Sequence, residues 1–426
     1  MDNMKFDEAL IINRCVPFLD NSSCFTEISG NLVYSTKIFK NQGQIEIIRE
    51  NLNEGVILSS NESGIGSIRY EGMIPSKNII DEAANYKNIR FKDGDFEKYL
   101  SLSCYNVEYS NICDDLINNN INVERIKKEL KNNSFIDIRD NISYYFNKNS
   151  HILQKNGFVV GNDLSAFKDS NRAVFADSVD NFFPLSKKKA FNKISYGGLS
   201  YLPLSKSVYT IFLSAQVAAI MFHEICHLFE FGEYCIDIGT VLAKSILNIS
   251  MFPSWYPSFI NFKYDDEGSR SKKLELVKNG IVKNHIHSKL TSLHIKDVQL
   301  GYGRRALGER YILPRMSNIV VEPSIKFANN PLDIVSQGLY FSNCESGKTD
   351  LKNRLVTLDG LTIYMIKNGE LVGKINKNRC KIDLIDFMKN IIFIGNKLET
   401  INGTCTGNLP VSYTSPLVIS SDIRIE

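Results

Sequence analysis

Apolar and polar positions divide the chain into two unlike halves. In the first half, short alternating runs predict strands at Cys24–Ser29, Leu32–Phe39, Val56–Ser60 and Ser67–Tyr70, the last opened by Gly64-Ile65-Gly66. Pro75–Tyr86 and Asp95–Cys104 read as helices. So does Asn120–Lys131, where Val123, Ile126 and Leu130 recur at three- and four-residue intervals. Ile136–Phe146, Gly157–Val160 and Ala173–Ala176 favour strands. This is an α+β domain, expected to end near residue 195, where Lys187-Lys188-Lys189 and Gly197-Gly198 mark a linker by charge and flexibility.

The second half, 196–426, opens with the β-branched and aromatic run Val208–Leu213. Ser214 stands where an N-cap belongs, ahead of an apolar segment reaching Phe229. Beyond Trp255 the pattern is nearly all strand. Asn279-Gly280 and Asn368-Gly369 each lie between apolar-rich runs, and such a pair suits a type I′ hairpin turn because both central residues need positive φ. The expected fold class is therefore α+β: an N-terminal α+β domain (1–195), then a mainly antiparallel β domain (196–426) carrying one long helix.

Composition narrows the function. The 426 residues are 43% hydrophobic and 23% charged, enough apolar surface to exclude disorder for the bulk of the chain. Fifty basic against 47 acidic side chains leave +3, which argues against a dedicated nucleic-acid binder. The acids and polar residues near the start argue against a signal peptide, and Val208–Phe222 is too short and too interrupted to span a membrane. Nine scattered cysteines suit free thiols of a cytoplasmic protein better than a disulfide framework.

The helix expected at Ala215–Phe229 contains His223-Glu224-Ile225-Cys226-His227. Residues four apart lie one turn apart on one helix face, so both imidazoles can reach one metal ion. Glu224 projects beside the first, where it can take a proton from a metal-bound water. The alternative is a helix whose histidines and glutamate merely hydrogen-bond inside the protein. A catalytic zinc site needs three protein ligands and one open position. Glu230 and Glu233 stand where the metzincin extension needs Gly and His, which excludes that class. The third ligand is open among Glu230, Glu233, Cys235 and Asp237 nearby, and Cys405, His285 and His287 further off. Cys405 sits in a glycine-bracketed loop, Asn402–Gly407, whose backbone could bring a thiolate close to a metal.

From about Phe222 to the C-terminus, the chain resembles the TldD/PmbA family of metallopeptidases. The matching stretches come in the family's order: the metal helix; Asn261-Phe262 with Asp265-Asp266-Glu267-Gly268; Lys278-Asn279-Gly280; Gly301-Tyr302-Gly303-Arg304-Arg305; Pro314–Asn318; Gly338-Leu339-Tyr340; Ile366–Glu370; and Gly403–Gly407 followed by Leu409-Pro410-Val411. The resemblance implies a TldD-type subunit with Zn²⁺ held by His223, His227 and Cys405, and Glu224 as the catalytic carboxylate. It also implies a peptide substrate and either a homodimer or a heterodimer with a TldE/PmbA-like subunit. The family motif has three residues between Glu and the second His. This chain has two, Ile225 and Cys226, while Glu230 keeps the later His-x-x-Glu relation, and Thr406-Gly407 stands where the family tends to have Gly-Lys. Arg304, Arg305 and Arg315 are candidates for binding substrate carboxylate or carbonyl groups, because guanidinium gives bidentate contacts. The competing assignment is solvated loop arginines or partners for Asp265, Asp266 and Glu267.

Three functions follow in order of preference. The first is a metal-dependent peptidase. The second is a non-catalytic assembly or binding subunit with a vestigial site, and the third is metal-dependent peptide modification other than hydrolysis.

Overall fold

A computed structural model describes the chain except residues 1–18, 20–23, 72–74, 76, 86, 103–106, 112–122, 131–133, 148, 163–173, 177–179, 181, 183–197, 307, 324–330 and 406–408. The expected domain boundary near 195 lies outside the described residues.

The N-terminal half is an eight-stranded sheet built on four long antiparallel strands, Phe25–Asn41, Gln44–Asn61, Ser134–Asn147 and Ser150–Asn162. The first two are longer than the sequence pattern predicts. Gly30 reads as a break but lies within a strand, where the Tyr144 ring covers it and an added Cβ would lie 2.3 Å from the Tyr144 hydroxyl. Gln44–Asn53 has no expected element in the sequence pattern; it is largely exposed in the structure, and of its apolar residues Ile45 packs against a core cluster. Described helices lie within the three expected segments, at Lys77–Asn85, Asp95–Ser101 and Val123–Glu129, and part of each expected span falls outside the described residues.

Side chains alternate across a strand, so each strand feeds two faces. Ile57, with Ile28 and Leu32, packs with Ile80 and Ala83 of the helix Lys77–Asn85. Val56 and Leu58 instead join Leu293 and Ile312 of the C-terminal half. Two buried ion pairs fix the same contact. Lys289 Nζ lies 2.6 Å from Glu27 Oε1, and Arg305 Nη1 lies 2.6 Å from Glu54 Oε1.

The C-terminal half holds a seven-stranded and a six-stranded sheet around the largest core. Both Asn-Gly turns form as the sequence predicts, with φ of 52° and 75° at Asn279 and Gly280, and 51° and 76° at Asn368 and Gly369. The sheets are mixed rather than purely antiparallel: Val208–Leu213 runs parallel to Gln337–Asn343, and Asn318–Val321 parallel to Leu409–Ser415. The helix Ala215–Cys226 touches strands of both sheets, and Val217–Cys226 is buried throughout. A helix that is apolar all round needs such an enclosed position. No helix among the described residues is long and apolar enough to cross a membrane.

Candidate metal centre

The site is assembled by the entry and exit of this buried helix. Strand Val208–Leu213 delivers the chain to Ser214, whose hydroxyl oxygen accepts from the Val217 N–H at 3.3 Å and caps the first turn. The α-helix runs to Cys226 and then tightens into a 3-10 turn, His227–Phe229, so the regular helix is one turn shorter than expected. Glu230 is extended and ends the turn. His227 Nδ1 lies 3.2 Å from Glu230 Oε2, and Glu230 Oε1 accepts the Met316 N–H at 3.1 Å. The carboxylate orients the ring and leaves Nε2 facing the cavity, a common arrangement behind ligating histidines.

That Nε2 lies 3.4 Å from Cys405 Sγ, although 178 residues separate the two in sequence. Cys405 ends the strand Glu399–Cys405, which pairs with Leu409–Ser415 in the six-stranded sheet. One donor atom each from His223, His227 and Cys405 lies within 4.8 Å of the other two. The imidazoles stand nearly perpendicular, with ring centres 5.2 Å apart, and His223 rests against Tyr413. Two imidazoles and a thiol at this spacing match the soft, tetrahedral preference of zinc with one position open.

Burial pushes the Cys405 thiol up, but hydrogen bonds and charge from His223 and His227 outweigh it and draw it down to about 5. Burial pushes His227 down, yet hydrogen bonds to Cys405 and Glu230 raise it to about 10. The metal-free pair is thus thiolate and imidazolium, and a cation entering the site takes over the charge role of that proton. His223 Nδ1 is buried and has no hydrogen-bond partner among the described residues. Cys226, inside the motif, is fully buried with its thiol pushed far up, and belongs to the core.

Glu224 lies beside His223, with Oε1 3.9 Å from His223 Nε2. Its Oε2 accepts the Thr349 hydroxyl at 2.7 Å. A cavity of about 560 Å³ opens over these groups, walled by Arg315, Glu345, Lys348, Thr349 and Tyr413 among others. The sequence reading missed Gly347, Thr349 and Tyr413. None lies in a motif with metal or catalytic spacing, and only the paired strands bring them to the helix.

The other candidates are placed as follows. Arg315 lines the cavity, held by Glu309 Oε1 at 2.6 Å. Arg304 is buried and donates to the Met316 carbonyl. Arg305 turns its guanidinium to Glu54, and its backbone N–H donates to Asp266. His285 bonds the Ile236 carbonyl, while His287 meets Thr291 Oγ1 at 3.3 Å. Neither belongs to the three-residue cluster, nor do Glu233, Cys235 and Asp237.

Residues 206–426 match the family model for the PmbA/TldA metallopeptidase C-terminal domain. A metalloprotease of Methanocaldococcus jannaschii is 24% identical over 211 residues, covering 48% of this chain and 47% of the relative. A zinc metalloprotease TldD homologue of Saccharolobus solfataricus is 25% identical over 204 residues, covering 46% of this chain and 42% of the relative. The matched stretch thus spans about half the length of these relatives or less. The crystal structure of TldE from Thermococcus kodakarensis superposes with a TM-score of 0.66 at 12% identity, over 98% of this chain and 99% of that one, a likeness of fold alone. By its C-terminal half, which carries the His223–His227–Cys405 cluster, the chain belongs to the PmbA/TldD family.

Proposed function

We propose that this chain is the metal-holding subunit of a peptidase that hydrolyses peptides or unstructured polypeptide segments. One observation carries the reading: a two-histidine, one-cysteine donor set and an adjacent carboxylate face one open cavity. His223, His227 and Cys405 would hold zinc. When bound, zinc supplies a Lewis acid that polarises a carbonyl and lowers the pKa of water toward 7. Glu224 accepts the proton of the attacking water and returns it to the leaving amine. Arg315, which lines the cavity, is the arginine of the three best placed to orient a substrate carbonyl or carboxylate.

The names of the relatives support metalloprotease chemistry, and the fold shared with a TldE supports a dimer with a TldE/PmbA-like chain or a second copy. The free cysteines suit a reducing, cytoplasmic setting. An N-terminal unit to about 195 and a C-terminal unit from 196 remain the proposed division.

The test is Glu224→Gln, assayed on a mixed pool of unstructured peptides with product masses and zinc content measured. General-base removal costs about 10²–10⁴ in rate, and zinc should stay near the wild-type level. Full cleavage by the zinc-loaded variant removes Glu224 from the mechanism. No cleavage by wild type, even with a TldE-like subunit added, favours a non-catalytic subunit.

A further inference from the structure

Strand Ser346–Asp350 pairs with Leu355–Asp359 at the edge of a three-stranded sheet and lies along the metal-bearing helix. Its exposure alternates: Ser346, Lys348 and Asp350 are exposed, while Gly347 and Thr349 are half-buried. The two half-buried residues therefore share one face of the strand, and both meet Glu224. Thr349 Oγ1 lies 2.7 Å from Glu224 Oε2 and 3.1 Å from the Glu224 carbonyl oxygen. A hydroxyl carries one proton, and a carboxylate at the shorter distance is the stronger acceptor. Two residues earlier, a Cβ added to Gly347 would lie 2.6 Å from Glu224 Cγ and 2.9 Å from Oε1.

We propose that Thr349 is a positioning residue for the reaction: its hydroxyl anchors Glu224 Oε2 so that Oε1 faces the metal donors, and Gly347 provides the space the side chain needs. The two carboxylate oxygens then have separate tasks. Oε2 is held by the strand, and Oε1, on the His223 side, takes the proton. Thr349 is suited to this because its β-branched side chain has restricted χ1 freedom and its hydroxyl is carried on a paired strand. Side-chain alternation along that strand sets Gly347 and Thr349 two residues apart, so one segment supplies both the space and the anchor.

This inference rests on Glu224 acting as the base, and the experiment separates the two. Thr349→Val keeps the shape and removes the hydroxyl. We expect kcat to fall on the order of 10–100-fold, the scale of a misplaced catalytic group, with KM and zinc content unchanged, and Thr349→Ser to restore most of the loss. Gly347→Ala should lower kcat by crowding the same carboxylate while Thr349 remains. In the Glu224→Gln background, Thr349→Val should add little, because residues acting as a unit are strongly non-additive. Undiminished kcat in Thr349→Val, or an equal loss in both backgrounds, overturns the proposal. A crystal structure of metal-free Thr349→Val gives a second readout independent of turnover. A displaced Glu224 carboxylate supports the anchoring of Oε2 by Thr349, with an active Glu224→Gln counting against Glu224 as the base and not against that contact, whereas a carboxylate that keeps its place overturns the proposal.

Discussion

The fold turns Cys405 from a thiol into a thiolate at neutral pH, and its ionisation in the metal-free protein can be measured. Burial raises the thiol, but hydrogen bonds and charge from His223 and His227 bring it from 9.0 to about 5. That change is worth about 5 kcal/mol of preference for the thiolate. An isolated thiol at 9.0 would be about 1% ionised at pH 7, whereas at about 5 it is about 99% ionised. The sign is that of a lowered acid: the thiolate persists as pH falls from 9 and is lost only through about 5. Ultraviolet thiolate absorbance of metal-free protein, less that of Cys405→Ala, should show one step near pH 5. Cys226 and Cys380 should not contribute there, because burial pushes both thiols upward, Cys380 to about 11. His227→Ala removes one of the two imidazoles and should move the step toward higher pH. A wild-type step near 9, or one that His227→Ala leaves in place, would refute the thiolate–imidazolium account.

Three further outcomes are expected. Cys405→Ala should lose most bound zinc by elemental analysis while Cys235→Ala keeps it; the reverse would place the third ligand next to the helix. Arg305→Ala removes the 2.6 Å partner of buried Glu54, leaving Arg69 Nε at 3.8 Å and the Gly308 N–H at 3.4 Å, and should destabilise the protein in chemical denaturation by up to about 3 kcal/mol, the low end for breaking a buried pair; an unchanged midpoint would show that this pair does not hold the two halves in contact. Arg315→Gln should raise KM for peptide and spare zinc content, since Arg315 lines the cavity without belonging to the donor cluster. A lowered kcat at constant KM would instead assign it to the chemical step.

How much of this was legible in the chain depends on how local the governing interaction is. The Asn-Gly turns, the Ser214 cap and the i,i+4 histidines each follow from a few neighbouring residues, and each was readable. The length of the strand Gln44–Asn61 was not, because its first half is held by pairing with Phe25–Asn41 and is largely exposed. Cys405 stood among seven possible third ligands on spacing alone, and only the family resemblance singled it out. Arg305 read as a candidate substrate group, yet its guanidinium is paired with a glutamate 251 residues away.

The sequence by itself therefore determined the fold class, the turn positions and the helix that presents two imidazoles and a carboxylate, since backbone periodicity and side-chain preference act over a turn or two. Tertiary structure decided the rest of the site. Packing of strands against the helix brings Cys405 to His227 and Gly347 and Thr349 to Glu224, and packing of the N-terminal sheet against the C-terminal half brings Glu54 to Arg305. These contacts join segments more than a hundred residues apart, and nothing local distinguishes the residues that meet there from others of their kind.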